Sequence, residues 1–189
     1  VSGGVAERMN FSAYLLFSLG MVGFIYPVLI SWGWSTDGWL AQLGYVDFAG
    51  SGLIHTCGGV ASLVGAFLLG PRIGRFKSAE GMVEVIEIKG HSLVLSNFGT
   101  FVLLFGWLSF NGSSILGGSK EDLIIATKAV SNTLLSVAAA AVTSFLYSCK
   151  PDESGKPHTH NLEELNNAML SGAVAITGSC CSVQGWAAI

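Results

Sequence analysis

Four long apolar runs constrain this chain more than any other feature. Phe11 to Trp32 and Ser92 to Phe110 contain no charged residue, Phe48 to Leu69 contains only His55, and Leu123 to Tyr147 contains only Lys128. A helix rising ~1.5 Å per residue needs ~20 apolar residues to cross a hydrocarbon core ~30 Å thick. Each run meets that length. A fifth, shorter helix is expected over Leu165 to Gly178. It is followed by a connection, Ser179 to Gly185, and a new helix near Trp186. The expected fold is all-α: a polytopic transmembrane helix bundle forming a single domain over residues 1–189. Its spans fall at roughly 11–32, 48–69, 92–110, 123–147 and 165–178.

Composition agrees. Charged residues are 11% of the chain, where a soluble domain carries about 25%. A net charge of −3 offers nothing to a nucleic acid, and no glycine loop of the phosphate-cradling kind is present. Cys57, Cys149, Cys180 and Cys181 form no Cys-x-x-Cys pair, so they read as small packing residues rather than a disulfide or zinc framework. The chain opens on Val1 without a basic leader and closes on Gly185-Trp186-Ala187-Ala188-Ile189. Both ends read as cuts within a longer protein.

The cations lie between the runs. Arg8 precedes the first; Arg72, Arg75, Lys77 and Lys89 separate the second and third; Lys150 and Lys156 follow the fourth. If the spans alternate, these seven share one side, and only Lys120 and Lys128 face the other. Cytoplasmic loops are enriched in Lys and Arg. The loops from Arg72 to Lys89 and Lys150 to Asn161 are therefore expected inside, with Trp34 to Tyr45 and Asn111 to Asp122 outside. Small residues recur at spacing four, as Ser136, Ala140 and Ser144 and as Gly58, Ser62 and Ala66. That spacing lets helices approach closely in lipid.

Several polar residues stand out against this background. His55, about a third of the way into the second run, is costly at that depth unless it faces a cavity or a partner. Neutral imidazole offers one donor and one acceptor and titrates near neutral pH, which suits a small polar solute or a proton relay. Asp47 sits where a helix N-cap would sit, and a carboxylate at an outer mouth also attracts cations. Trp32 and Trp39 read as interfacial anchors, whereas the face of Trp34 could attract a cation. Phe110 could plug a passage, and Ser114 could accept a hydrogen bond from a cationic donor. Asn97 and Asn132 read as interhelical hydrogen-bonding residues. His158-Thr159-His160 lies in a polar loop and reads as no more than that. No nucleophile–base set, metal cluster or cofactor motif is visible, so the chain is expected to be no enzyme.

The combination is more specific than its parts. Asp47-Phe48-Ala49-Gly50-Ser51-Gly52-Leu53-Ile54-His55, Gly58-Gly59 and Gly70-Pro71-Arg72-Ile73-Gly74-Arg75 together resemble the signature stretch of the ammonium transporter (Amt/Mep) family. Val1 to Arg8, Gly106 to Asn111 and Cys180 to Ile189 resemble it too, in the same order. Ser35-Thr36-Asp37-Gly38-Trp39 is similar to the eukaryotic, plant-like branch. The Lys77 to Gly90 loop, with Glu80, Glu84 and Glu87, matches no motif.

The resemblance implies about five of the family's eleven spans, in a homotrimer whose subunits each hold a pore for ammonium or ammonia. It implies an outer ammonium site at Trp34 and Ser114, a gate at Phe110, a pore-lining histidine at His55 and support of the outer site by Asp47. The second gate phenylalanine and the second histidine would lie outside these residues, so the chain alone is not expected to conduct. The plasma membrane is the expected location. A Rh-type gas channel and an ammonium sensor or non-conducting subunit are the alternatives. Trp34 and the Asp37-Gly38-Trp39 loop argue against the first.

Overall fold

A computed structural model describes residues 1–79, 82–151 and 161–189. Among the described residues, four helical stretches are long and apolar enough to cross a membrane: Phe11–Gly33, Ser51–Leu69, Leu93–Gly112 and Lys120–Ser148. The residues fall into two compact units. One comprises Val1–Tyr45 with Gly52–His91, the other Val46–Ser51 with Ser92–Ile189. Each is described by itself.

The first unit begins with a short helix α1 (Ser2–Val5), followed by the first span. That span is α2 (Phe11–Gly20), a π-helical turn at Met21–Ile25, and α3 (Tyr26–Gly33). Asn10 starts it: its side chain accepts from Ser12 N at 2.9 Å. The π turn ends two residues before Pro27, whose missing N–H cannot continue the regular ladder. After α4 (Trp39–Gln42) and a second π-helical turn at Ser51–Thr56 comes α5 (Cys57–Leu69). Gly70 ends α5 at φ +75, a conformation that favours glycine. The helix end is held from α1's side: Arg8 Nη1 donates to Gly70 O at 2.8 Å, and Arg72 Nε pairs with Glu7 at 2.9 Å. A Cβ on Gly4 would strike Ser62 Oγ, and one on Gly65 would lie 2.7 Å from Val5 Cγ1. Here Ser62 packs closely, as the small-residue spacing predicts. Among the described residues, Gly58 has nothing within 4 Å of the position a Cβ would take.

The segment after α5 contains an element absent from the sequence reading. β1 (Phe76–Ala79) pairs antiparallel with β2 (Met82–Val85), with Lys77 opposite Glu84 and Phe76 opposite Val85. Arg75 extends the ribbon: its carbonyl accepts from Ile86 N, and its guanidinium donates to Ile86 O, each at 2.8 Å. The β-branched residues Val83, Val85 and Ile86 favour an extended strand here.

The second unit packs α6 (Leu93–Gly112), α7 (Lys120–Ser148), α8 (Leu162–Ile176) and a 3₁₀ turn at Gly185–Ala188 around Ala129, Ile176, Cys180 and Ala188. Caps set its helix starts. Ser119 and Asp122 form a reciprocal capping box at 3.1 and 2.9 Å, so α7 begins at Lys120, before the apolar run does. Asn161 accepts from Glu163 N at 2.9 Å and starts α8 at Leu162. Glu121, Asp122, Glu163 and Glu164 lie in first turns, where negative charge offsets the helix dipole.

α7 and α8 touch through small residues. A Cβ on Gly172 would lie 2.7 Å from both Ala140 Cβ and Ser136 O, and Ser136 Oγ donates to Gly172 O at 3.1 Å. Two polar clasps cross the helices. Asn166 Nδ2 donates to Asn97 Oδ1 at 2.7 Å, and Asn132 Nδ2 donates to the carbonyls of Cys180 and Val183 at 2.7 and 3.0 Å. Asn97 thus bonds between helices as expected, while Asn132 holds the connection after α8.

Candidate functional site

Trp34 and His55 both belong to the first unit. Trp34 caps α3, with its backbone N–H donating to Ile30 O at 2.8 Å and its side chain 41% exposed. Gly33 precedes it for a steric reason. A Cβ there would lie 2.8 Å from Leu53 Cδ1, so glycine lets the end of α3 approach buried Leu53 closely. Leu53 lies two residues before His55 in the π-helical turn. This contact ties the end of the helix bearing Trp34 to the turn bearing His55. Gly38 serves the same loop, since a Cβ would run into the carbonyls of Ser31 and Trp32. Trp32 and Trp39 meet edge to face, with centroids 5.8 Å apart at 61°. His55 itself is half-buried, in a backbone geometry that recurs at functional sites.

Asp47, Phe110 and Ser114 belong to the second unit. Asp47 is buried, and one oxygen, Oδ1, accepts from Gly50 N at 3.0 Å and Ser51 N at 2.7 Å. The carboxylate acts much as a cap would, on a tight turn in which Gly50 takes φ +98. That turn sits on the end of α8. Phe48 N donates to Gly178 O at 2.9 Å, Ala49 N to Thr177 O at 3.2 Å, and Ser51 Oγ to Val174 O at 2.9 Å. The last carbonyls of a helix lack partners of their own, and here the Asp47 turn supplies donors to them. Gly178 leaves the room required, because a Cβ would lie 3.1 Å from Asp47 Oδ1.

Phe110 and Ser114 lie one turn apart at the end of α6. Ser114 Oγ donates to Phe110 O at 2.7 Å. That bond uses the only hydroxyl proton and leaves lone pairs able to accept from an N–H donor. The end of α6 is tied to α7 by Asn111, whose Nδ2 donates to Thr133 Oγ1 at 2.8 Å, both side chains being fully buried. Trp107, one turn before Phe110, meets it edge-on at 6.4 Å and 63°. Its indole Nε1 donates to Thr177 Oγ1 at 2.9 Å.

Trp107, Thr177 and Thr133 join the site through contacts that no local motif announces. An indole N–H inside an apolar run needs an acceptor, which was the available signal. The acceptor itself lies far along the chain. Among the described residues, no group of His, Cys, Asp and Glu could hold a metal ion. His158-Thr159-His160 lies outside the described residues.

Comparison with known proteins adds the following. The profile described as "Ammonium Transporter Family" matches residues 1–189. "Ammonium transporter 1 member 3" of Oryza sativa subsp. japonica is 39% identical over 203 residues, and "Ammonium transporter 1 member 1" of Arabidopsis thaliana 40% over 204. Each match covers 100% of this chain and 40% of the relative, so the chain spans well under half the length of these proteins. Among solved structures, "Sensor Amt Protein" aligns with a TM-score of 0.85 at 32% identity, covering 98% of this chain and 44% of that one. Saccharomyces cerevisiae Mep2 aligns at 0.80 with 27% identity, covering 99% and 38%.

Proposed function

Because this chain belongs to the ammonium transporter family, we propose that it supplies part of a pore carrying ammonium or ammonia across a bilayer. The observation that carries the reading is the family match over the whole chain, with transporters of the plant ammonium transporter 1 type among the relatives. The assembled protein is read as a homotrimer with one pore per subunit. The plasma membrane is its setting, with the Arg72 to Lys89 loop on the cytoplasmic side.

The local geometry suits the task. Ammonium and potassium match in size and charge, so selection between them must use the N–H donors that potassium lacks. Ser114 can accept one such bond, and the exposed face of Trp34 attracts the charge. Asp47, bonded into its turn through Oδ1, supports the outer site by holding that backbone in place. Phe110 acts as a gate, and His55 lines the conduit. An apolar conduit penalises a bare ion, so ammonium releases its proton, to water at the outer mouth or to a histidine relay, and passes as ammonia.

A second reading, ammonium binding without conduction, is favoured by the likeness to "Sensor Amt Protein". One experiment separates them. The full-length protein is expressed in yeast lacking its own ammonium permeases and plated on low ammonium. Growth supports transport. Correct membrane localisation without growth supports the sensor.

A further inference from the structure

Thr177 stands where two parts of the proposed site meet. It is fully buried just past the end of α8. Its carbonyl accepts from Ala49 N at 3.2 Å, and so helps seat the Asp47 turn. Its hydroxyl donates to Ala173 O at 2.6 Å and accepts from Trp107 Nε1 at 2.9 Å. A hydroxyl has one proton and two lone pairs. Donation to Ala173 fixes its rotation and leaves a lone pair aimed at the indole. The ring so held stands edge-on to Phe110, 6.4 Å between centroids.

We propose that Thr177 is a positioning residue for the gate: it sets the orientation of Trp107, and through it Phe110, from the same helix end that seats the Asp47 turn. The inference rests on reading Phe110 as the gate. Valine matches threonine in shape but offers no acceptor. At this half-buried site an indole N–H deprived of its acceptor turns to find another, and the edge contact with Phe110 goes with it. Serine keeps the hydroxyl.

The test uses the full-length protein in permease-deficient yeast, reading methylammonium uptake per molecule at the cell surface. T177V and W107F should each lower the maximal rate about fivefold, the worth of one hydrogen bond, while T177S stays near wild type. Both substitutions remove the same bond, so the double variant should be no slower than the slower single one. Losses that multiply in the double variant overturn the proposal, as does a T177S protein as slow as T177V. If T177V fails to reach the membrane, W107F decides alone: reduced uptake supports the coupling and unchanged uptake overturns it. Failure of the underlying reading looks different. Wild-type uptake no higher than in empty cells, or F110A conducting like wild type, overturns transport or the gate first and this inference with it.

Discussion

Ser114 donates its hydroxyl proton to the carbonyl of Phe110, one helical turn back, at 2.7 Å. The bond anchors the serine to the residue read as the gate and turns its lone pairs away from the helix. A cation with N–H donors arriving at the end of α6 meets a pure acceptor.

Removing that acceptor should weaken ammonium capture. A hydrogen bond to a charged group is worth about 1.5–3 kcal/mol, and at a partly exposed site the lower end applies. Ser114→Ala should therefore raise the apparent KM for ammonium about tenfold, with potassium competing more effectively. Ser114→Thr should stay close to wild type. Concentration-dependent uptake with and without potassium reads both.

The contact between α7 and α8 leaves no room for a side chain at Gly172. A Cβ would lie 2.7 Å from Ala140 Cβ and from the Ser136 carbonyl, part of it rigid backbone. Gly172→Ala should destabilise the protein by about 1–3 kcal/mol, the range for overpacking. Gly118→Ala, with nothing within 4 Å of the added atom, should change little. Thermal unfolding in detergent separates the two.

Asn97 and Asn166 form a clasp between α6 and α8 at 2.7 Å. In membrane proteins such pairs couple by about 0.6 kcal/mol on average and about 1.7 at most. A double-mutant cycle with Asn97→Ala and Asn166→Ala should return a coupling in that range. A value of zero would mean the two amides do not depend on each other.

Cys180 should resist alkylation. Burial, and then the charge of neighbouring Cys181, push its thiol up to about 11 from an ordinary 9.0. The thiolate is the nucleophile, so at neutral pH almost none of it is reactive. Its modification should accelerate only as pH climbs toward the raised value. Cys149 is exposed and should be labelled first by maleimide at pH 7. Mass spectrometry of the labelled peptides gives the order.

How much was legible in the sequence depends on the range of the interaction. The apolar runs, the packing role of Ser136 and Ala140, and the bonding of Asn97 rest on local periodicity and on the cost of a polar group in lipid. Those rules read directly from a string. Helix starts at Lys120 and Leu162 were set by caps outside the apolar runs, which hydrophobicity alone misses. The ribbon at Phe76 to Val85 had a signal in its β-branched residues, masked by the charges around it. Thr177 and Trp107 are 70 residues apart, and nothing near either names the other. The same holds for the turn at Asp47, whose partners lie at the end of α8. Its cap-like bonds were foreseeable; the helix it rests on was not.

The central claim is conduction past His55, and purified full-length protein in liposomes tests it most directly. An inward ammonium gradient should drive uptake well above that of protein-free vesicles, and His55→Ala should slow or alter that flux at equal protein content. Uptake equal to protein-free vesicles, from protein shown to be folded and inserted, would contradict the account.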